Sequence, residues 1–251
     1  MPSPTLLLDG DIFAYKAAAS SEKATNWGDD IWTLHVNEDE AMAWLGINIS
    51  RVREKLDAGR IVVALSDTRN FRKDVLPTYK SNRATTRKPM LLGFLKEHLR
   101  ENYEVFERPG LEGDDVIGIL ATSPKIIKGE KIIVSLDKDM KTIPGKLYND
   151  GKPERGVVDI AEEEADYWHL YQTLTGDATD GYSGCPGIGP KKAEALLNQH
   201  GAIWQTVVNA YAGAKLGEEE ALTQARVARI LRNTDYDFKK KEPILWTPTP
   251  Q

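Results

Sequence analysis

The sequence predicts an α/β fold built on a mostly parallel sheet with helices on both faces. Three observations lead there. Short runs rich in Val, Ile and Leu (TLLLD, IVVALS, YEVFE and KIIVSL) alternate with longer segments that can be helical. Acidic residues stand where the apolar runs end. From Ser183 onward the character changes, first Gly-rich and then helical.

In chain order, TLLLD is the first strand and closes on Asp9, and residues 38–56 form a helix. IVVALS is the second strand and leads to Asp67; residues 90–100 are helical. YEVFE, a helix over 114–121, KIIVSL leading to Asp137, and a helix over 162–175 follow. Strand–helix alternation of this kind places ligands beyond the carboxyl ends of the strands, where Asp9, Asp67 and Asp137 fall. The expected division is an α/β domain over residues 1–175 and a helical region over 176–251, whose WTPTPQ tail runs over the surface.

With 251 residues and 41% apolar content, the chain can bury the core of one large domain with a small appendage. No apolar stretch approaches the roughly 18 residues of a membrane span. The start, MPSPTLLLDGD, has neither a basic leader nor a small-residue cleavage site, so a cytoplasmic location is expected and a membrane partner is not. The lone cysteine, Cys185, has no partner for a disulfide or a zinc site and reads as a small turn residue.

Nine carboxylates stand in the acidic clusters: Asp9, Asp67, Glu112, Asp114, Asp115, Asp137, Asp139, Asp177 and Asp180. A sheet that gathered them at one rim would set them repelling one another, and bound cations would relieve that repulsion. Hard oxygen donors without His or Cys point to Mg²⁺ or Mn²⁺. Any single aspartate at a strand end is most often a helix N-cap, and Asp114 and Asp115 could simply cap the helix that follows; five such motifs in one chain reverse that reading. The four histidines show no ligand spacing.

The net charge is −5, but without the nine clustered carboxylates it would be +4. Between Arg69 and Arg100 stand nine Lys or Arg residues against only Asp74 and Glu97. Such a run is often a solvated helix face, yet beside a cation-loaded acidic pit it suits a polyanionic ligand. In GCPGIGPKKAEALL, Gly187 and Gly189 permit a tight hairpin whose backbone N–H groups can approach a phosphate, and Pro190 opens the next helix. That helix N-terminus with Lys191 and Lys192 adds positive potential, so a helix-hairpin-helix here would grip a DNA backbone without reading bases.

These residues carry a family resemblance. LLLDGD, ALSDTRNFRKDVLPTYKSNR, LEGDDVIG, SLDKDMKTIP, ADYWHLYQTLTGDATDGYSG and the glycine hairpin stand in the order found in 5′-nucleases of the flap endonuclease superfamily, and the chain resembles the 5′→3′ exonucleases of short-tailed phages. The resemblance covers about residues 5–197 and implies a resolvase-like (PIN-like) nuclease domain with two divalent metals. Asp9, Asp67, Glu112 and Asp114 match the first-metal group; Asp115, Asp137, Asp139, Asp177 and Asp180 match the second. Lys80 and Arg83 match residues that contact the scissile phosphate. Arg72 and Lys73 match a DNA-contacting motif beside Phe71, and Tyr79 lies where a base or sugar could stack. The segment ATTRKP is shorter than the arch of flap-cleaving relatives, which favours attack on duplex ends. Ser183-Gly184 replaces the usual Arg-Gly before a hairpin whose carbonyls, in relatives, hold a monovalent cation such as K⁺.

The activity so implied is two-metal 5′→3′ exonuclease cleavage of duplex DNA, in phage replication and recombination within the host bacterial cytoplasm. Action on 5′ flaps and on RNA in RNA–DNA hybrids rests on the resemblance alone. Two alternatives stay open on the sequence. Asp9-Gly10-Asp11 after a strand, with Ser66 and Asp114-Asp115, imitates a haloacid dehalogenase-type phosphatase with Asp9 as nucleophile. A DNA-binding protein without catalysis is the other.

Overall fold

A computed structural model describes residues 3–248. The chain runs β1 (Thr5–Asp9), α1 (Gly10–Ser21), β2 (Lys23–Asn26), β3 (Trp32–His35), α2 (Glu38–Lys55), β4 (Arg60–Ala64), α3 (Arg72–Val75), α4 (Leu92–Asn102), β5 (Glu104–Phe106), α5 (Gly113–Thr122), β6 (Lys131–Val134), β7 (Gly145–Tyr148) and β8 (Val157–Ile160). It continues through α6 (Glu162–Thr175), α7 (Pro190–His200), α8 (Trp204–Gly213), α9 (Glu218–Ala228), β9 (Tyr236–Asp237) and β10 (Glu242–Pro243).

The main sheet has the order β5-β4-β1-β6-β7-β8. All neighbours are parallel except β8, which runs antiparallel to β7. The predicted mostly parallel sheet with flanking helices is the observed one. All five residues of β1 are buried, as expected of a strand covered on both faces. Its side chains alternate between two cores: Leu6 and Leu8 join α1, α2 and α4 on one face, whereas Leu7 joins α5 and residues 230–236 on the other. After β1 the chain builds outward through β4 and β5, then returns to lay β6 on the opposite side. The order therefore reverses between β1 and β6, and open α/β sheets place their ligand crevice at such a point.

Several elements differ from expectation. The helix expected from Met90 begins at Leu92, because the Met90 N–H is held by the Glu22 carboxylate at 2.8 Å. Helix α1 gave no amphipathic signal, since its buried face is made of Phe13, Gly10 and small Ala residues; Asp9 caps it by accepting from Ile12 N–H at 3.1 Å. The β2–β3 hairpin, β7 and β8 were not anticipated.

A third apolar cluster unites α6 to α9 around Leu170, Leu174, Leu197, Val207, Tyr211 and Ala221, with Cys185 buried inside it. Helix α6 belongs to this cluster through Leu170 and Leu174, and to the second sheet core through Ala165. A boundary at Thr175 therefore falls within continuous packing. After α9 the chain returns to the sheet, where Ile230, Leu231 and Tyr236 pack in the second core. The tail folds back along α6, and Trp246 packs edge-on against His169 and Trp204. Thr249 to Gln251, the end of the expected surface tail, lie outside the described residues.

Candidate active site

A cleft of about 590 Å³ opens at the carboxyl edge of the sheet. Its acidic side is made of Asp9, Asp11, Asp67, Glu112, Asp114, Asp137 and Asp180, and Lys80, Arg83, Lys88, Lys96 and Arg100 stand on its basic side. The acidic residues come from separate segments: the end of β1 and start of α1, the loops after β4 and β6, the start of α5, and the loop after α6. A parallel sheet brings all its strand ends to one rim, which is why residues so far apart in sequence meet.

Asp9 is 2% exposed. Burial, with Asp11 and Asp137 nearby, pushes its carboxyl up to about 7 even though Ser135 Oγ and Ile12 N–H donate to it. Burial and the charges of Asp9, Asp137 and Glu112 likewise hold Asp114 well above the usual carboxylate range. Glu112 goes the other way: burial disfavours its charge, but the Arg72 and Lys80 cations prevail and bring it to about 2. Asp67 is kept low by Gly110 N–H, which donates to it at 2.6 Å, and by Thr68 N–H at 2.7 Å.

Lys80 caps this acidic wall. Its ammonium pairs with Glu112 and lies 3.5 Å from Asp180, while Arg83 pairs with the other oxygen of Asp180 at 2.5 Å. Lys80 stands in the left-handed backbone region, φ 55°, and its N–H donates to the Asp180 carbonyl at 2.7 Å. That backbone pairing fixes the YKSNR turn against the GDATDG loop.

Three of the nine predicted carboxylates do not line the cleft. Asp139 accepts from Gln172 Nε2 at 2.5 Å, its own backbone N–H donates to Asp137 Oδ1 at 2.8 Å, and burial beside Asp137 pushes its carboxyl up to about 7. Asp177 pairs with Lys138 at 2.8 Å. Asp115 is fully buried against Arg72. Two expected DNA contacts are also enclosed: Arg72 and Tyr79 are each 2% exposed. The Tyr79 hydroxyl lies 3.0 Å from both Glu112 Oε2 and Asp180 Oδ2 and its ring is buried, so it is not a stacking platform, and Phe71 is core. Lys73, Gly187, Gly189, Lys191 and Lys192 are exposed. Helix α7 starts at Pro190 as expected, and Lys192 Nζ donates to the Gly187 carbonyl at 2.9 Å.

As parts of a nuclease site, Asp11, Ser66, Lys96 and Ser135 were not expected; Asp11 and Ser66 entered only the phosphatase alternative and Lys96 only the basic run. Asp11 accepts from Ser66 N–H at 2.9 Å and Ser66 Oγ at 2.5 Å, and its other oxygen pairs with Lys96 at 2.5 Å. Ser66 Oγ in turn accepts from Gly113 N–H at 2.8 Å, which joins the ends of β1 and β4 to the start of α5. Serines that end a strand beside an aspartate were the available signal.

Among the described residues, no three Asp, Glu, His or Cys side chains are gathered into a ready-made metal cage. The chemistry of the cleft still fits hard divalent cations. Its donors are all oxygen, and Asp9, which is buried, and Asp114, which is half-buried, stand where desolvation and like charges disfavour ionisation, a cost that a cation would offset.

Comparison with known proteins gives the family and the fold. Residues 4–153 match the family described as 5′-3′ exonuclease, N-terminal resolvase-like domain. The exonuclease of Escherichia phage T7 is 34% identical over 97% of this chain and 93% of its own length. The exodeoxyribonuclease of Enterobacteria phage T3 is also 34% identical, over 97% and 92%. The fold matches that of the phage T5 5′-exonuclease with bound zinc, at TM-score 0.67 and 16% identity over 90% of this chain and 89% of that one. It also matches flap endonuclease-1 from Methanococcus jannaschii, at TM-score 0.53 and 14% identity over 92% and 79%. The chain belongs to the 5′-3′ exonuclease family. Neither the phosphatase nor the binding-only alternative finds support in these matches.

Proposed function

We propose that this protein is a Mg²⁺- or Mn²⁺-dependent exonuclease that hydrolyses duplex DNA from 5′ ends, releasing mononucleotides or short oligonucleotides. The observation that carries the proposal is the cleft itself, which carboxylates from separate segments line together with Lys80 and Arg83. The family match over residues 4–153 supports the same reading.

In this reading Asp9, Asp67, Glu112, Asp114 and Asp137 hold two divalent ions, with Asp139, Asp177 and Asp180 completing the second site directly or through water. Bound there, such ions would supply an activated water and neutralise charge on the leaving oxygen. Lys80 and Arg83 hold the scissile phosphate and stabilise its developing charge, since both cations already stand at the cleft mouth. Lys73, Gly187, Gly189, Lys191 and Lys192 grip the duplex backbone farther away; there the glycine turn forms a helix-hairpin-helix that takes K⁺ on its carbonyls. Contacts of this kind give affinity with little sequence preference. Activity on 5′ flaps and RNA–DNA hybrids, and a role in phage replication and recombination in the host cytoplasm, complete the reading.

Asp137→Ala tests it. Cleavage should be lost while affinity for a duplex, measured by fluorescence anisotropy in Ca²⁺, stays within about threefold. Equal loss of both would count against Asp137 as a metal ligand.

A further inference from the structure

The second aspartate of LEGDD is fully engaged. Asp115 Oδ1 accepts from Arg72 Nη2 at 2.8 Å and from Leu231 N–H at 3.0 Å. Its Oδ2 accepts from Arg72 Nη1 at 2.7 Å and from Glu112 N–H at 3.2 Å. Arg72 spends its remaining capacity on the Val227 carbonyl through Nε at 2.9 Å, the Arg229 carbonyl through Nη2 at 2.6 Å, and Glu112 Oε2 through Nη1 at 3.2 Å. A guanidinium has five N–H donors in a fixed fork, and each nitrogen here has an acceptor, which a lysine could not reproduce.

The helix opposite is shaped for the same contact. Asp115, Gly118 and Thr122 share one face of α5 by their spacing. Leu231 N–H donates to Asp115, and Asn233 N–H donates to Thr122 Oγ1 at 2.7 Å. Between them a Cβ on Gly118 would stand 2.3 Å from the Leu231 carbonyl oxygen, so only glycine admits the returning chain at this depth. The glycine of DDVIG and its second aspartate thus serve one contact.

We propose that Arg72 and Asp115 are positioning residues. They clamp the chain after α9 onto α5, so that the α6–α9 layer is fixed to the cleft, and they hold Glu112 where it lines that cleft. Glu112 is then set by Arg72 Nη1, by the Tyr79 hydroxyl at 3.0 Å, and by its own N–H on Asp115. Asp115 is not a metal ligand, and Arg72 does not touch DNA. The part concerning Glu112 rests on the metal-dependent reading above.

The test is Mn²⁺ binding to the full chain without DNA, counted by electron paramagnetic resonance of the free ion. Asp114→Asn should lose an ion, and Asp115→Asn should keep the wild-type number. Arg72→Gln and Tyr79→Phe should keep the number but weaken affinity about tenfold, as loss of a ligand's supporting contacts does. Arg72→Lys should not restore it. Amide exchange at Leu231 should speed up in Asp115→Asn and stay slow in Tyr79→Phe, which separates the clamp from the setting of Glu112. Loss of an ion in Asp115→Asn, or wild-type affinity in both Arg72→Gln and Tyr79→Phe, would overturn the proposal while leaving the nuclease reading intact. Should Arg72→Gln fail to fold, Tyr79→Phe, which removes a single hydroxyl, decides the matter. A wild-type chain that binds no Mn²⁺ would overturn both.

Discussion

Ser135 Oγ donates to Asp9 Oδ2 at 2.7 Å, across the central pair of strands β1 and β6. The same oxygen accepts from the Asp137 N–H at 3.0 Å. One fully buried hydroxyl therefore orients Asp9 and fixes the start of the loop that carries Asp137. Ser135→Ala should raise the Mg²⁺ concentration needed for half-maximal cleavage about tenfold. A Mg²⁺ titration of the rate checks this, and an unchanged midpoint would show that Asp9 holds its place unaided.

Lys80 joins the acidic wall to the basic one, pairing with Glu112 while standing 3.5 Å from Asp180. Burial alone would lower its pKa, but those two carboxylates raise it above the usual lysine value, so it stays cationic at any working pH. Lys80→Ala should slow single-turnover cleavage about 10²-fold. Duplex affinity should fall much less. If affinity drops as far as rate, the residue only docks DNA.

Gly176 and Gly184 meet back to back where α6 ends, with φ of 65° and 64°. A Cβ on Gly184 would lie 2.2 Å from Gly176 N, and one on Gly176 would lie 2.4 Å from the Ser183 carbonyl carbon. Gly184→Ala should therefore cost about 3 kcal/mol, from overpacking and an unfavourable backbone region together. For a chain of this size that lowers the melting temperature by about 6–12 °C. Thermal unfolding measures it directly.

His169 gives the pH dependence. It is 2% exposed, its Nε2 lies 2.9 Å from the Ala225 carbonyl, and burial near Arg229 pushes the imidazole down to about 3. A histidine depressed on folding binds fewer protons folded than unfolded between its two pKa values. Stability from this group is thus full above about pH 6.5 and is lost as pH falls towards 3, by up to about 5 kcal/mol. Urea midpoints measured from pH 7 to pH 4 should fall more steeply in the wild type than in His169→Gln.

The sheet was legible because parallel strands buried on both faces read as apolar runs, and α6 was placed at Glu162–Thr175 as expected. The β2–β3 hairpin was not, since its residues are mostly exposed and polar or aromatic, without an apolar face. Strand β8, Val157–Ile160, is a four-residue edge strand with three residues exposed, too short to stand out although its valines and isoleucine favour a strand. In the cleft, position was legible but depth was not. Arg72 and Tyr79 stand in a basic, aromatic segment that reads as a nucleic-acid surface, yet their ion pair and hydroxyl contacts are satisfied inside the protein. Asp114 and Asp115 look alike in sequence. A single step along the helix separates their fates, because consecutive helical residues point about 100° apart.

The most direct test of the central claim is digestion of a linear duplex labelled at one 3′ end, with and without Mg²⁺, using Asp137→Ala as control. The account predicts metal-dependent shortening of the labelled strand from its 5′ end, and none with the variant. A labelled duplex left intact by the wild type in Mg²⁺, or shortened equally by Asp137→Ala, would contradict it.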